Sequence, residues 1–432
     1  MSLNSQFLTE LQWRGLIHDS TDLQALDEHL SSGKRSFYMG FDPSSESLTI
    51  GNLLAMVLVI RGARAGLNAV VLLGGGTGLI GDPSGKSEER TLLPIEEAER
   101  NAANQKELMM SIFKRALKED QLPRFANNID WLGKLNAIEF LRDVGKHFSV
   151  TEMMRRDSVK RRVSGETGEG LSYTEFSYSL LQSYDYMQLC RDFDVTLQMG
   201  ASDQWGNIVA GIDYVRRILG KTVYALTCPL LLRADGTKFG KTEKGAIWIS
   251  AARTSPYQFY QFIINIADEE AEKFALNFSL ESREFLENLF AAHKAAPHER
   301  KLQRHMAREL TTLVHGEEAC KGAEAATQAL FSGDVKSLEL KQIEEIFADA
   351  PSVNCGRDQL EAGALNLVTV LAESGLVPSK GQAKKDLPNG AISVNGEQVK
   401  ADITLTRENL LHNSVLLLRR GKKDWRIVRF TS

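Results

Sequence analysis

Three side chains in one helical row carry the strongest chemical hint. Tyr178, Gln182 and Asp185 are spaced i, i+4, i+7 within the run 173–190, whose pattern predicts a helix, so they share one face. Leu180, Leu181, Met187 and Leu189 make that helix largely buried, and a buried phenol, amide and carboxylate need partners. A polar ligand can supply them, and so can ordinary core groups. The run Asp235-Gly236-Thr237-Lys238-Phe239-Gly240-Lys241-Thr242 sets two lysines and a threonine in a glycine-punctuated loop. It can close on phosphates or form a solvated hairpin. Residues Gly40 to Asn52 form the turn between an expected strand and an expected helix, where backbone N–H groups point at an anion and Gly51 lets a flat base approach. An ordinary capped helix with a packing glycine is the alternative there. Asp203 and Gln204, after another strand end, offer an acceptor for ribose hydroxyls and an amide donor, or a simple helix cap.

Two tempting matches fail on context. Gly76-Thr77-Gly78-Leu79-Ile80-Gly81 fits G-x-G-x-x-G, but a dinucleotide fold needs it in the first βα turn with a helix at once. Here Asp82-Pro83-Ser84 follows and the helix is expected over 94–118. Nor is Gly85-Lys86-Ser87 a P-loop, because Ile80 stands where its first glycine belongs. A nicotinamide-dependent oxidoreductase thus rests on residues 76–81 alone. Cys190, Cys228, Cys320 and Cys355 include no C-x-x-C pair and the eight histidines no H-E-x-x-H, so neither a zinc site nor a disulfide framework is expected.

The elements that must position these groups follow from periodicity. Apolar runs at 36–41 and 69–73 flank a helical pattern at 50–65, and a run at 195–199 leads to a helix near 207–219. This predicts an α/β first half with a parallel, Rossmann-like sheet whose ligands sit beyond the strands' carboxyl ends. Residues 251–325 turn helical, with Tyr257, Tyr260, Phe262 and Ile263 as an apolar stripe, and read as an all-α domain. Gly333, Pro351 and Gly356 interrupt a scattered pattern that reads as a connector over 326–362. From 363 to 432 a helix, Asn-Gly turns and three strands predict a small α+β domain.

At 432 residues, 43% hydrophobic and 25% charged, the composition is that of a globular protein of several domains and excludes disorder and collagen. Residues 379–432 hold 11 Lys+Arg against 5 Asp+Glu, leaving 41 against 51 elsewhere, so the tail is where a polyanion would bind. The N-terminal residues resemble neither a signal nor a transit peptide, and no apolar run approaches the roughly 18 residues of a spanning helix. A cytoplasmic location without membrane association is the expectation.

Taken in order, the segments resemble the bacterial-type tyrosyl-tRNA synthetases over nearly the whole chain. The resemblance rests on Tyr38-Met39-Gly40-Phe41-Asp42-Pro43, on 78–86 (GLIGDPSGK), on Tyr173-Thr174-Glu175-Phe176-Ser177-Tyr178, on 202–207 (SDQWGN) and on 235–242. The tail is similar to an S-four type RNA-binding domain. The resemblance implies a class I synthetase that activates L-tyrosine with ATP, carried as its Mg complex and with no tightly bound cofactor. Tyrosine then passes to the terminal adenosine of tRNA(Tyr). It implies a catalytic domain over 1–250, a helical anticodon-binding domain over 251–325, a linker over 326–362 and an RNA-binding domain over 363–432. In that mapping Tyr38 and Asp185 meet the phenol, while Asp82, Tyr178 and Gln182 hold the ammonium. Gly40 and Asp42 lie along the adenylate, Gly51 beside the base, Asp203 on the ribose and Gln204 near the reacting carboxylate. Lys238, Lys241 and Thr242 close over pyrophosphate, with Lys86 and Arg90 as further cations. Lys380, Lys384, Lys385, Lys422 and Lys423 contact RNA, and a homodimer is implied. Phenylalanine would leave Asp185 without a partner, a selectivity for which this enzyme class is the standing example.

One departure is sharp. Where the family usually reads H-x-G-H, this chain has Thr49-Ile50-Gly51-Asn52. Asn52 keeps an N–H donor, but Thr49 offers a hydroxyl and cannot become cationic. Losing one hydrogen bond to a charged group there costs about 1–3 kcal/mol. Gly381 is a smaller departure, in a stretch where relatives tend to be basic. The altered motif beside a basic tail leaves a second reading, a synthetase-derived RNA-binding protein with weak or lost aminoacylation. Tryptophan is the rival amino acid, since an indole N–H could also reach Asp185.

Overall fold

Short β-branched and leucine-rich runs form the central strands because a sheet covered on both faces needs no polar alternation. The computed structural model describes residues 2–84, 92–156, 159–160, 162, 170–232, 239–242, 245–332, 334–347, 350–361, 363, 365–421 and 424–431. They form two compact units, Met1–Thr254 with Ile266–Val314 and Ser255–Asn265 with His315–Ser432.

The first unit holds β1 (Ser36–Phe41), β2 (Asn68–Leu73), β3 (Arg124–Asn127), β4 (Val195–Ala201) and β5 (Tyr224–Cys228) in one parallel sheet of order β3-β2-β1-β4-β5. The order reverses between β1 and β4, which opens a crevice at their carboxyl ends. Tyr38 pairs with Val70 on one side and Gln198 on the other. Helices α1 (Gln6–Trp13), α2 (Leu23–Ser31), α3 (Ile50–Arg64), α4 (Ile95–Ala116), α5 (Tyr173–Asp192) and α6 (Trp205–Leu219) surround it. Residues 50 and 53–54 and the unbroken run 56–63 of α3 are buried, so this helix is core on every side. A hairpin of β6 (Lys241–Thr242) and β7 (Gly245–Ala246) follows.

The helical stretch that reads as one domain over 251–325 contributes to both units. Helix α7 (Pro256–Ile264) belongs to the second, whereas α8 (Asp268–Phe278), α9 (Arg283–Ala295) and almost all of α10 (Lys301–His315) belong to the first. Of the expected stripe on α7, Tyr260 and Ile263 are buried together with Phe259, while Phe262 is only half-buried. In the second unit follow α11 (Glu317–Ser332), α12 (Leu340–Ile346), β8 (Ser352–Gly356), α13 (Leu367–Glu373), α14 (Lys380–Asp386), β9 (Ile392–Val394), β10 (Glu397–Gln398), β11 (Val415–Arg420) and β12 (Asp424–Thr431).

The expected linker over 326–362 is not a linker. Val335, Leu338, Ile343 and Phe347 pack against Leu417 and Ile427 of the C-terminal sheet, and β8 is its fifth strand, parallel to β12 in the order β10-β9-β11-β12-β8. The scattered apolar pattern arises because these residues fill one layer from a turn, a short helix and a strand, each with its own period. Among the described residues, no helix is long and apolar enough to cross a membrane.

Two buried arginines fasten α3 and α1 to the end of α8. Arg61 donates to the carbonyls of Leu276 at 3.2 Å and Ser279 at 2.8 Å, and Arg14 donates to Leu276 at 3.1 Å and Glu281 at 2.8 Å. Burial, with Arg14 nearby, lowers the Arg61 pKa to about 9, and Glu10 at 3.6 Å opposes that shift. Helix-terminal carbonyls have no partner of their own within the helix, so these bonds close α8. Arg61→Met is expected to cost about 2–4 kcal/mol, read as a lower urea midpoint at unchanged slope.

Candidate active site

A cavity of about 470 Å³ opens at the carboxyl ends of β1 and β4. Strand β1 and its turn bring Tyr38, Gly40 and Asp42 to its wall, the start of α3 brings Thr49, Gly51 and Asn52, and the loop after β2 brings Thr77 and Asp82. Helix α5 contributes Tyr178, Gln182 and Asp185 from one face, and the turn after β4 adds Asp203 and Gln204. The row read from spacing alone therefore faces a cavity. Lys86, Arg90, Lys238, Lys422 and Lys423 lie outside the described residues, as do the side chains of Lys241 and Thr242, whose backbone forms β6. Lys380, Lys384 and Lys385 stand exposed on α14 in the second unit.

At the deep end Asp185 is 1% exposed and accepts from Trp131 Nε1 at 2.7 Å and Asn128 Nδ2 at 2.9 Å. Burial raises its pKa to about 7, against the lowering effect of those two donors. The Tyr38 hydroxyl is buried with no hydrogen-bond partner among the described residues, and burial followed by the Asp185 charge pushes its pKa well up. A hydroxyl left unpaired beside a carboxylate matches a ligand that both donates and accepts at that point.

Farther out, Tyr178 Oη donates to Asp42 Oδ2 at 2.9 Å and Thr77 Oγ1 to Asp42 Oδ1 at 2.8 Å. Asp42, expected along the adenylate, thus has both carboxylate oxygens engaged by Tyr178 and Thr77. Asp82 accepts from Gln204 Nε2 at 2.5 Å, and Gln182 Nε2 reaches Gln204 Oε1 at 3.3 Å. Gln182 Oε1 is buried without a partner among the described residues.

At the mouth, Thr49 caps α3 with its backbone N–H at 2.9 Å and its hydroxyl at 3.0 Å from Asn52 Oδ1. The backbone N–H can only donate, so the Asn52 amide is oriented with Nδ2 turned away from it. A Cβ added at Gly51 would meet only Thr49 Oγ1 at 3.6 Å, and one at Gly40 would meet nothing within 4 Å. No close packing among the described residues explains these glycines. Gly74 and Gly78 are the opposite case, where a Cβ would collide with Asp42 and with Pro43, at 2.8 Å in the latter. The glycine run at 76–81 is therefore part of a packed crossing over the β1 turn. Asn101 and Gln105 of α4 steady that turn from behind through the carbonyls of Pro43 at 3.2 Å and Ser45 at 2.8 Å.

The base of the 235–242 loop is docked on the same helix start. Ile50 N–H donates to the Ile247 carbonyl at 3.0 Å, and Ile247 N–H donates to Gly240 at 2.8 Å. Gly240 has φ +83° and packs on Ile50, while Phe239 stacks on Phe274 with ring centroids 5.4 Å apart.

Four contributors escaped the sequence reading. Asn128 and Trp131 sit beyond β3, a four-residue strand too short to stand out, and Thr77 lay within the glycine run. Gln198 is the cross-strand neighbour of Tyr38, 3% exposed, with Oε1 unpaired. A glutamine inside the apolar run Val195–Met199 was the available signal.

Residues 31–332 match the model of the tRNA synthetases class I (W and Y), and residues 342–428 match the tyrosine–tRNA ligase SYY-like C-terminal domain. A C-terminally truncated mitochondrial tyrosyl-tRNA synthetase of Coccidioides posadasii is 31% identical with TM-score 0.64, covering 74% of this chain and 91% of its own. The corresponding Aspergillus nidulans enzyme is 27% identical with TM-score 0.68, covering 75% and 94%. The Archaeoglobus fulgidus tyrosyl-tRNA synthetase complexed with L-tyrosine is 17% identical with TM-score 0.54, covering 74% and 99%, and speaks to the fold alone. The chain belongs to the class I tRNA synthetases of the tryptophan and tyrosine group and, within it, to the tyrosyl-tRNA synthetases, which join tyrosine to tRNA.

Proposed function

We propose that L-tyrosine binds with its phenol between Tyr38 and Asp185. The observation that carries this reading is a buried carboxylate, held by two N–H donors, beside a buried hydroxyl that lacks a partner. The phenol O–H donates to Asp185 and its oxygen accepts from Tyr38, whereas an indole N–H could only donate and would leave Tyr38 unpaired. The ammonium goes to Asp82, Gln182 and Tyr178, with Asp42 behind Tyr178. MgATP lies against Gly40 and Gly51, with its ribose on Asp203 and its phosphates toward the start of α3, Asn52 and the lysine loop. The substrate carboxylate then attacks the α-phosphorus, an O–P bond forms, the bond to the β-phosphate oxygen breaks, and pyrophosphate leaves. The chain supplies alignment and donors where charge develops. Gln204, already on Asp82, steers the carboxylate. The exposed α14 lysines give the second unit a surface for tRNA. A homodimer is supported by Ile138, Leu141, Val150 and Met154, all exposed apolar residues between 138 and 154.

Three outcomes test this reading. Asp185 holds its proton up to about pH 7, far above an unfolded aspartate, so between about pH 4 and 7 only the unfolded chain ionises there and the stability of the empty protein falls as pH rises. The ionised form is the stronger phenol acceptor. The KM for tyrosine in ATP–pyrophosphate exchange should therefore fall between pH 6 and 8 with an inflection near 7, and Asp185→Asn should flatten the profile. A flat wild-type profile would refute the assignment. Gly240→Ala strains a positive φ and presses on Ile50, so adenylate formation should slow roughly tenfold with little change in tyrosine KM. Sedimentation should report a dimer, and Ile138→Asp with Leu141→Asp a monomer.

A further inference from the structure

Hydrogen bonds between two of the cavity's carboxylates, Asp42 and Asp185, run in one direction through the groups that join them. Gly76 N–H donates to Asn128 Oδ1 at 2.7 Å, which settles the orientation of that amide. Asn128 Nδ2 then donates to Asp185 Oδ2 and to Thr77 Oγ1, each at 2.9 Å. The Thr77 hydroxyl owns one proton, and its partner, the Asp42 carboxylate oxygen at 2.8 Å, accepts. Thr77 therefore donates to Asp42 and accepts from Asn128. A single directed chain joins the carboxylate at the phenol end to the one behind Tyr178. Asn128 is fully buried and Thr77 is 2% exposed, and a Cβ added at Gly74 would run into the Thr77 hydroxyl and the Asp42 carboxylate.

We propose that Thr77 is a positioning residue that aligns both ends of the amino-acid site through Asn128 and Asp42. It touches neither the phenol nor the reacting atoms in the reading above, on which the inference rests through the role of Asp185. Valine has nearly the same shape, but it removes the acceptor of one Asn128 proton and a donor to Asp42. The Asn128 amide is then free to tilt, and Asp185 loses the constraint that aims it.

The test is ATP–pyrophosphate exchange with tyrosine and with phenylalanine on wild type, Thr77→Val, Thr77→Ser and Asp185→Asn. Thr77→Val should lower the tyrosine-to-phenylalanine ratio of kcat/KM about tenfold and raise the KM for tyrosine, with Thr77→Ser within about twofold of wild type. A merely structural role would depress both amino acids alike, so an unchanged ratio overturns the proposal. So does a serine variant as poor as the valine one. If Asp185→Asn lowers the ratio and Thr77→Val does not, the Thr77 inference alone fails. If Asp185→Asn also leaves the ratio intact, the phenol assignment fails with it.

Discussion

A carboxylate taken out of water constrains everything around it. Asp185 is tolerable at the bottom of the cavity because an indole and an amide donate to it, and each of those donors imposes conditions of its own. Asn128 must sit at the carboxyl end of β3, beside the end of β2, so the sheet order cannot vary there. The loop after β2 must pass close enough for Gly76 to hold the amide, which explains why glycines crowd at 74–76. Helix α5 must present one polar row into the sheet's crevice while burying most of its remaining surface. The cavity's buried polar groups and the sheet architecture thus share the same atoms.

The glycines divide by what a side chain would meet. At Gly74, Gly75 and Gly78 a Cβ would collide with neighbouring protein atoms and at Gly76 it would press on Leu132, so these positions answer to packing within the chain. At Gly40 and Gly51, which line the cavity, a Cβ would meet at most the Thr49 hydroxyl at 3.6 Å among the described residues, so packing of those residues does not require a glycine there. Sequence spacing cannot draw this distinction, since both kinds flank strands and helix starts alike. Approach distances in the folded chain do.

What was legible in the residues follows the same division. The row Tyr178, Gln182 and Asp185 announced itself because helical periodicity is local and three polar groups on a buried face are conspicuous. The parallel sheet and the crevice beyond β1 and β4 followed from short apolar runs separated by helical patterns. The links from Asp42 through Thr77 and Asn128 to Asp185 did not, because their members lie 35 to 57 positions apart and no periodicity connects them. The segment over 326–362 is not the connector its pattern suggests, because its apolar residues serve a core completed by strands some 70 residues later. Local pattern reports local structure, and a site assembled from several strand ends exceeds it.

The pairing of β8 with β12 has a consequence in time as well as space. A chain emerging from its amino end has made α7 and β8 long before residues 424–431 exist, and the second unit's sheet has its fifth strand only when they arrive. Parallel pairing across that separation carries a large loop-closure entropy and sets in late. The first unit, by contrast, has every residue it needs once position 314 has been made. Synthesis therefore delivers the cavity before it delivers the basic surface, and during that interval the apolar residues of 335–347 await their cover.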